Sequence, residues 1–559
     1  MVGAMLFAGE LAAAVYDVGP AQPFESIGAV PWESLAAGDS VVIRWRSEPY
    51  REKWVICRIG TANAPIVVRG IPSPTGEPPV VSGDNATTRP QLNYWNRDRG
   101  VVKIGGANNP PDCMPAYIII EGLRICSARP PYTFDGGTSY SSNASAIYVE
   151  KGEHLTLRGC VFDDCGNGLF SAWASADVLV EGCSVFDNGI AGSIYEHNSY
   201  CEAQGITYQY NHYGPLRADC LGNNLKDRSS GCVIRYNWIE NGNRQLDLVD
   251  SDYAALYDDP SYRTTYVYGN ILIEPDGAGN SQICHYGGDS GTTSHYRKGT
   301  LHFYNNTVVS TRSGNTTLFR LSTNDESCDC RNSIAYVSAL GSHLAMLNEA
   351  GVLYLWNDWF KTGWVDCHGT LQGAVHDMGG IVTGSAPGFS SEAAQEFWLA
   401  SGSGCINAGA GLAEPCIPDY EVDLEYVKHV LRKARALSPP LDIGAYEYPH
   451  AGGVPSAVAG LTADAAGTSV VLIWNAIETD TCGLPLVPDA YRIYSAEGAY
   501  FQPVAGLLMT ETADTSVTAP ECAQDPAQDH FFSVTAVRAG VEGGASAMVG
   551  AVDFAAGEP

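Results

Sequence analysis

Positive charge is scarce in this chain. Lys and Arg number 32 against 62 Asp and Glu, a formal net charge of −30. Nucleic-acid binding rests on Lys and Arg neutralising phosphates, so this balance argues against a nucleic-acid partner. Charged residues of both signs make up only 17%. With plentiful Gly, Asn, Tyr and Trp, that suits an extracellular β-protein. The acidic excess is compatible with calcium binding, although a solvated acidic surface accounts for most of it. Long apolar runs are missing, and no stretch is long enough to span a membrane. The 17 Cys include no Cys-x-x-Cys pair. Cys-Asp-Cys at 328–330 lacks zinc-ligand spacing, so most Cys read as buried apolar residues rather than ligands. Helical periodicity is also rare. Only EVDLEYVKHVLRKARAL (421–437) carries it convincingly, which predicts one helix packed over the C-terminal end of the main domain.

What is present is a repeat. An alternating apolar strand runs into a turn that is usually Asn or Cys, and another apolar residue follows. Nine copies carry the marker residues Leu123, Cys160, Cys183, Asn211, Asn237, Asn270, Asn306, Asn332 and Asn357, at intervals of 37, 23, 28, 26, 33, 36, 26 and 25 residues. Repeats of this length built from short strands indicate a solenoid, and with no helices between the strands the prediction is a right-handed parallel β-helix. Stacking coils at roughly 4.8 Å pairs each strand with its successor. Asn at equivalent turns can then form a side-chain amide ladder along the axis. The longer intervals imply loops pushed out of the stack, where binding and catalysis usually sit.

Counting back from each marker aligns a companion strand: AIYV (146–149), GLFS (168–171), NLKD (224–227), QLDL (245–248), QICH (282–285) and TLFR (317–320). If the second residue points inward, the third points outward. That expectation places Tyr148, Phe170, Lys226, Asp247, Cys284 and Phe319 in one outward row, with Lys226 beside Asp247. The coil carrying Tyr195, Glu196, His197 and Glu202 falls between Phe170 and Lys226, in an open register. Aromatics flanking central charges suit a sugar-chain cleft, because rings stack on pyranose faces while ionisable groups work at the centre. Aromatics that merely cover the solenoid are an equally good reading of the rings alone. The block 194–253 shifts the balance. It is dense in His, Asp, Glu and Tyr and holds Arg217, Lys226, Arg228, Arg235 and Arg244 on an otherwise acidic chain. Its bland alternative is an ion-pair network between coils.

The phrase WESLAAGD (32–39) resembles the first coil of secreted bacterial β-helix proteins, and SPPLDIGAYEY (438–448) resembles their closing coil. Residues 15–449 as a whole resemble the polysaccharide-degrading β-helix proteins, in the broad fold group of the pectate and alginate lyases. Residues 1–14 resemble the tail of a secretory signal, or else form a cap. A linker follows at 450–455. The segment 456–559 has alternating strands, an early Trp474 and a central Tyr491, and resembles a fibronectin type III module. Its two cysteines, Cys482 and Cys522, could form a disulfide in an oxidising compartment. The resemblance implies a secreted or cell-surface protein whose partner is a polysaccharide, with an acidic one as the expectation.

It also implies β-elimination from a uronate, with a Lys or Arg base beside carboxylate-held calcium. Lys226 is then the base, with His197 as its rival and Tyr195 as the acid. Arg228 and Arg244 neutralise the substrate carboxylate. Tyr148, Phe170, Phe319 and Glu202 join Arg228 in binding substrate, and Asp227, Asp247 and Asp250 are the candidate Ca²⁺ ligands. A free Lys sits near a pKa of about 10.4, so a base at that position needs a strong depression. Two alternatives stay open. One is a glycoside hydrolase using paired carboxylates among Glu202, Asp227 and Asp247, although the Gly-His-Gly phrase of β-helix polygalacturonases is absent. The other is a non-catalytic adhesin or fibre protein.

Overall fold

The computed structural model describes residues 13–435, 440–448, 454–466, 469–480, 486–496, 501–519, 530–538 and 540–551. Residues 1–12, most of the linker, and both Cys482 and Cys522 lie outside them. The main domain is a right-handed parallel β-helix with three faces. One face runs from Val15–Val18 and Ser40–Arg44 through Ala116–Glu121, Gln204–Gln209, Ser230–Arg235, Thr264–Tyr268 and Thr300–Tyr304 to Ala374–Asp377. A second runs from Glu52–Ile56 and Gly100–Ile104 through Ser199–Cys201, Leu225–Asp227, Leu246–Leu248, Gln282–Tyr286 and Thr316–Leu321 to Leu344–Leu347. The two long strands Ser145–Arg158 and Asn167–Glu181 serve both faces. The third face is an 11-stranded sheet that begins just after each marker turn.

The core follows from alternation. Ile147, Leu169, Leu225 and Leu246 point inward and are buried. Cys160, Cys165, Cys183, Cys201, Cys232, Cys284, Cys328 and Cys330 fill interior slots as free thiols, as small apolar residues would.

The amide ladder is present. Asn211 Nδ2 donates to Asn237 Oδ1, Asn237 Nδ2 to Asn270 Oδ1 and Asn270 Nδ2 to Asn306 Oδ1, each at 3.0 Å. Each Oδ1 also accepts the backbone N–H of the residue before it in the stack. The last two markers are corrected by one residue. The ladder leaves Asn306 for Ser333 and then Asp358, not Asn332 and Asn357. Asn332 and Asn357 occupy the preceding position, in left-handed backbone (φ +50° and +52°), equivalent to Gly122, Gly159 and Gly269. Asn serves both positions well, as an amide in the ladder and as a tolerant left-handed residue, so its identity alone cannot separate them.

A second correction concerns 421–437. No helix forms among its described residues, 421–435. Leu424–Val427 and Leu431–Ala434 make an antiparallel hairpin, with Glu425 paired to Lys433 at 3.2 Å across it. The hairpin packs on the solenoid: Tyr426 lies against Trp238, and His429 stacks on His212 at 4.0 Å. The same residues also admit strand pairing, and the aromatic surface of the coils selects that form.

Asn305, one of the chain's glycosylation sequons, is fully buried and donates to Asp442 O at 3.0 Å, so a glycan has no room there. In the C-terminal segment, one antiparallel sheet (Thr462–Ala466, Ser469–Ile473, Ser516–Ala519) and a second built around Ala490–Ala496 and His530–Arg538 share a core that contains Trp474 and Tyr491.

Burial raises the Asp358 carboxyl to about 8, so it is protonated in the folded protein and stands in for an Asn at the ladder's end. The unfolded carboxyl ionises near pH 4. Stability is therefore lost as pH rises from there to about 8, then levels off. Asp358→Asn should raise Tm, by an amount that grows from pH 5 to pH 8, whereas Asn237→Ala should cost about 1–3 kcal/mol at either pH. A thermal unfolding series at both pH values checks this, and an equal shift for Asp358→Asn at the two would remove the protonated carboxyl.

Candidate functional site

The outward row of the second face is Lys103, Tyr148, Phe170, Tyr200, Lys226, Asp247, His285 and Arg320, each directly beside the next. The expected neighbours Lys226 and Asp247 are in place. Phe319 and Cys284 are corrected: both point inward and are fully buried, Phe319 edge-on to Phe303. Two apolar residues adjoin in Ile283–Cys284 and again in Leu318–Phe319. The inward slot takes the second of each pair because the polar residue that follows, His285 or Arg320, must face out. Tyr195 is also corrected. It sits 73% exposed on a loop and makes no side-chain hydrogen bond or ring contact among the described residues, and Tyr200 is the row member of that coil.

Asp247 is the centre. Its side chain is almost fully buried. Oδ2 accepts from Lys226 Nζ at 2.6 Å and Asn223 Nδ2 at 2.7 Å, Oδ1 accepts from His285 Nδ1 at 2.8 Å, and Arg244 Nη1 lies 3.8 Å from Oδ1. Burial alone would raise this carboxyl, but Lys226, His285 and Arg244 hold it well below its usual range. Lys226 has a second carboxylate, Asp289 Oδ2, at 2.6 Å. Burial disfavours its charge, yet Asp247 and Asp289 outweigh that and raise its pKa. Lys226 is thus an ammonium donor here, and the expectation of a free-amine base is corrected. Arg228 binds Asp289 Oδ1 at 2.8 Å, donates to Asp250 O and lies over the Tyr200 ring.

His197 is buried, and its Nδ1 accepts from the Asn223 N–H at 2.9 Å. Burial first and Lys226 second lower its pKa to about 3. The ring is neutral with its proton on Nε2, which does not suit the rival base. Arg244 donates through Nη2 to Gln282 Oε1 at 2.8 Å. Arg217 pairs with Asp164 and Arg235 with Gln209 and Tyr268, away from the row, so these two serve the coil-to-coil network.

The three carboxylates expected to hold calcium do not converge. Asp227 points into the solenoid, where Tyr208, Ser229 and the buried Arg297 engage it. Asp250 receives the Asp289 N–H and the Ser290 hydroxyl and so anchors their loop. Only Asp247 is on the row, and it is saturated by cations. No group of three metal-binding side chains forms among the described residues, and this set does not fit a calcium ion.

Glu202 is the carboxyl of opposite character. It is largely buried beside Arg228 and Asp252, and desolvation raises its pKa to about 7 despite Arg228. Asp289, in contrast, has a side chain 34% exposed and is held below its usual range: burial opposes, but Lys226 and Arg228 prevail. Trp173 and Tyr253 stack at 4.9 Å and are both more than a third exposed. Tyr148 and Phe170 are in the row as expected, and the Arg99 guanidinium sits 4.7 and 4.8 Å from their ring centres. Neither Arg99 nor Arg320 pairs with a carboxylate among the described residues. Sequence reasoning missed Asp289, His285 and Tyr200. Asp289 comes from a loop after its strand, which no strand alignment reaches.

A family model for a right-handed β-helix region matches residues 123–308. Among solved structures, an alginate lyase from Paenibacillus sp. str. FPU-7 is 13% identical with a TM-score of 0.40, covering 58% of this chain and 93% of its own. The pectate lyase Pel9A is 13% identical, TM-score 0.37, covering 78% and 97%. A lacto-N-biosidase from Eubacterium ramulus is 11% identical, TM-score 0.31, covering 65% and 68%. No curated protein sequence matches the chain. The fold defines a β-helix protein, and its chemistry is read from its own residues.

Removing the Lys226 charge leaves Asp247 buried beside fewer cations. Lys226→Met should cost about 3–5 kcal/mol at pH 7, and Lys226→Met with Asp247→Asn should cost less than the two single changes added. The signs with pH agree. The Asp247 contribution is complete above its unfolded pKa and fails as pH falls through the lower folded value. The Lys226 contribution is complete below its unfolded pKa and fails only as pH rises through the higher folded value. Urea unfolding at pH 7 decides it, and strict additivity would show that the pair is not coupled.

Proposed function

We propose that this β-helix is a glycan-cleaving enzyme acting on an acidic polysaccharide, and that it hydrolyses the glycosidic bond with Glu202 as general acid and Asp289 as base. The observation that carries this reading is the opposite tuning of these two carboxyls, both of which feel the Arg228 charge. One is held near 7 by burial, and the other is kept ionised by Lys226 and Arg228. Environments that push two carboxyls apart are what acid–base division of labour requires. The Trp173–Tyr253 pair offers an exposed aromatic surface for a sugar ring. Arg99, against Tyr148 and Phe170, and Arg320, at the end of the row, are unpaired with carboxylates among the described residues and favour an anionic chain.

In this mechanism Glu202 protonates the leaving glycosidic oxygen while Asp289 takes the proton of the attacking water. Lys226 and Arg228 hold Asp289 in place, and Asp247 fixes Lys226. A second reading, β-elimination from a uronate, is favoured by the density of cations at Lys226, Arg228, Arg244 and Arg320. It lacks a side chain in the right state: Lys226 is protonated, His197 carries its proton on Nε2, and Tyr200 is pushed up by burial. The C-terminal β-sheets are proposed as a fibronectin type III-like accessory module, and the protein as secreted.

Activity should fall above about pH 7 as Glu202 ionises. Glu202→Gln should lower kcat by about 10²–10⁴ and remove that basic limb. The assay follows new reducing ends and the ultraviolet absorbance of unsaturated ends in parallel, over a panel of acidic and neutral glycans. Reducing ends without the absorbance are expected. The two rising together would replace hydrolysis by elimination, and no cleavage of any glycan would leave the adhesin.

A further inference from the structure

One group beside the row has no part in glycan cleavage. Ser322 follows the strand Thr316–Leu321, two residues beyond Arg320, and is half-buried. Its Oγ lies 3.0 Å from His285 Nε2, and His285 Nδ1 lies 2.8 Å from Asp247 Oδ1. We propose that Asp247, His285 and Ser322 form a nucleophilic relay, and that the protein also removes small acyl esters, such as O-acetyl groups, from its glycan.

The geometry sets each role. Asp247 is an ionised acceptor, so the His285 proton is on Nδ1 and Nε2 is a bare acceptor. Only the Ser322 hydroxyl reaches Nε2 among the described residues. Burial keeps the ring neutral, with Arg244 and Arg320 adding to that effect against Asp247. An orienting carboxylate, an imidazole of fixed tautomer and a hydroxyl in series are the parts an acyl-transfer nucleophile needs. Ser322 is also held from the other side. It accepts the Gly288 N–H at 2.8 Å, and Gly288 O at 2.9 Å and Tyr286 O at 3.4 Å are the alternative acceptors for its proton. The space for it depends on Gly287, where a Cβ would come within 2.5 Å of Oγ, at a backbone φ of +132° that side chains avoid. Arg320, on the outward face of the same strand, is the cation available to the carbonyl oxygen as negative charge develops there.

The step balances without a further reactant. Ser322 Oγ attacks the ester carbonyl carbon and its proton passes to His285 Nε2. The bond from the carbonyl carbon to the sugar oxygen breaks, and that oxygen leaves with the proton from Nε2. Water then attacks acetyl-Ser322. Its proton travels through Nε2 to Ser322 Oγ, and acetate is released.

The test treats the full-length protein with a fluorophosphonate and locates the adduct by peptide mass spectrometry, alongside hydrolysis of p-nitrophenyl acetate. The expected result is one adduct, on Ser322, and an esterase rate that falls by about 10³-fold or more in Ser322→Ala. The adduct is read on the unaltered protein, so a folding defect in the variant cannot decide the outcome. No adduct on Ser322, or an esterase rate unchanged in a Ser322→Ala protein of normal Tm, overturns the relay. Neither readout depends on cleavage of a glycan chain.

Discussion

In a parallel β-helix every backbone N–H and C=O of a coil's strands must be satisfied by the coils above and below, since the interior holds no water to replace them. Strand n therefore sits directly on strand n+1, and side chains that are tens of residues apart in sequence become neighbours about 4.8 Å apart. In this protein the register is locked at one corner by the amide ladder from Asn211 to Asn306, continued by Ser333 and a protonated Asp358. The charged row on the second face inherits its alignment from that lock.

Within the row, Asp247 is where electrostatics concentrates. A carboxylate so deeply buried is tolerated only because Lys226, His285, Arg244 and Asn223 converge on it. The same arrangement removes Lys226 and His197 from service as free bases and leaves the tuned chemistry to groups at the periphery. Asp289 and Ser322 are partly exposed, where a substrate can approach, while Glu202 stays largely buried beside them. A rigid centre with reactive edges is consistent with a cleft that has to keep its geometry while admitting a long chain.

Much of this was legible before any coordinates. The repeat interval defines the solenoid because loops change its length while the marker turn stays. The companion strands put Lys226 beside Asp247 for the same reason. Sequence and structure part wherever two physical roles share one residue type. Asn332 and Asn357 are left-handed turn residues rather than ladder members, and Asn is good at both. Phe319 was expected outside because Leu318 and Phe319 are both apolar, and only Arg320 settles which of them faces in. Asp227 looked like a surface ligand until Arg297, 70 residues later, supplied a buried partner. The hairpin at 424–434 took a helical-looking segment because Trp238 and His212 offered it a surface.

The residues added by the structure come mostly from loops. Asp289 and Ser290 arrive on a segment tied down by Asp250, and Ser322 arrives just past a strand end. Alternation and spacing determined the coil, its inward face and the central pair, because those depend on period and burial, which are local properties of the chain. The protonation states of Lys226, His197 and Glu202, and the meeting of Asp247, His285 and Ser322, depend on distances between coils and loops. Only the closed solenoid sets those distances, and with them the charges that each group feels.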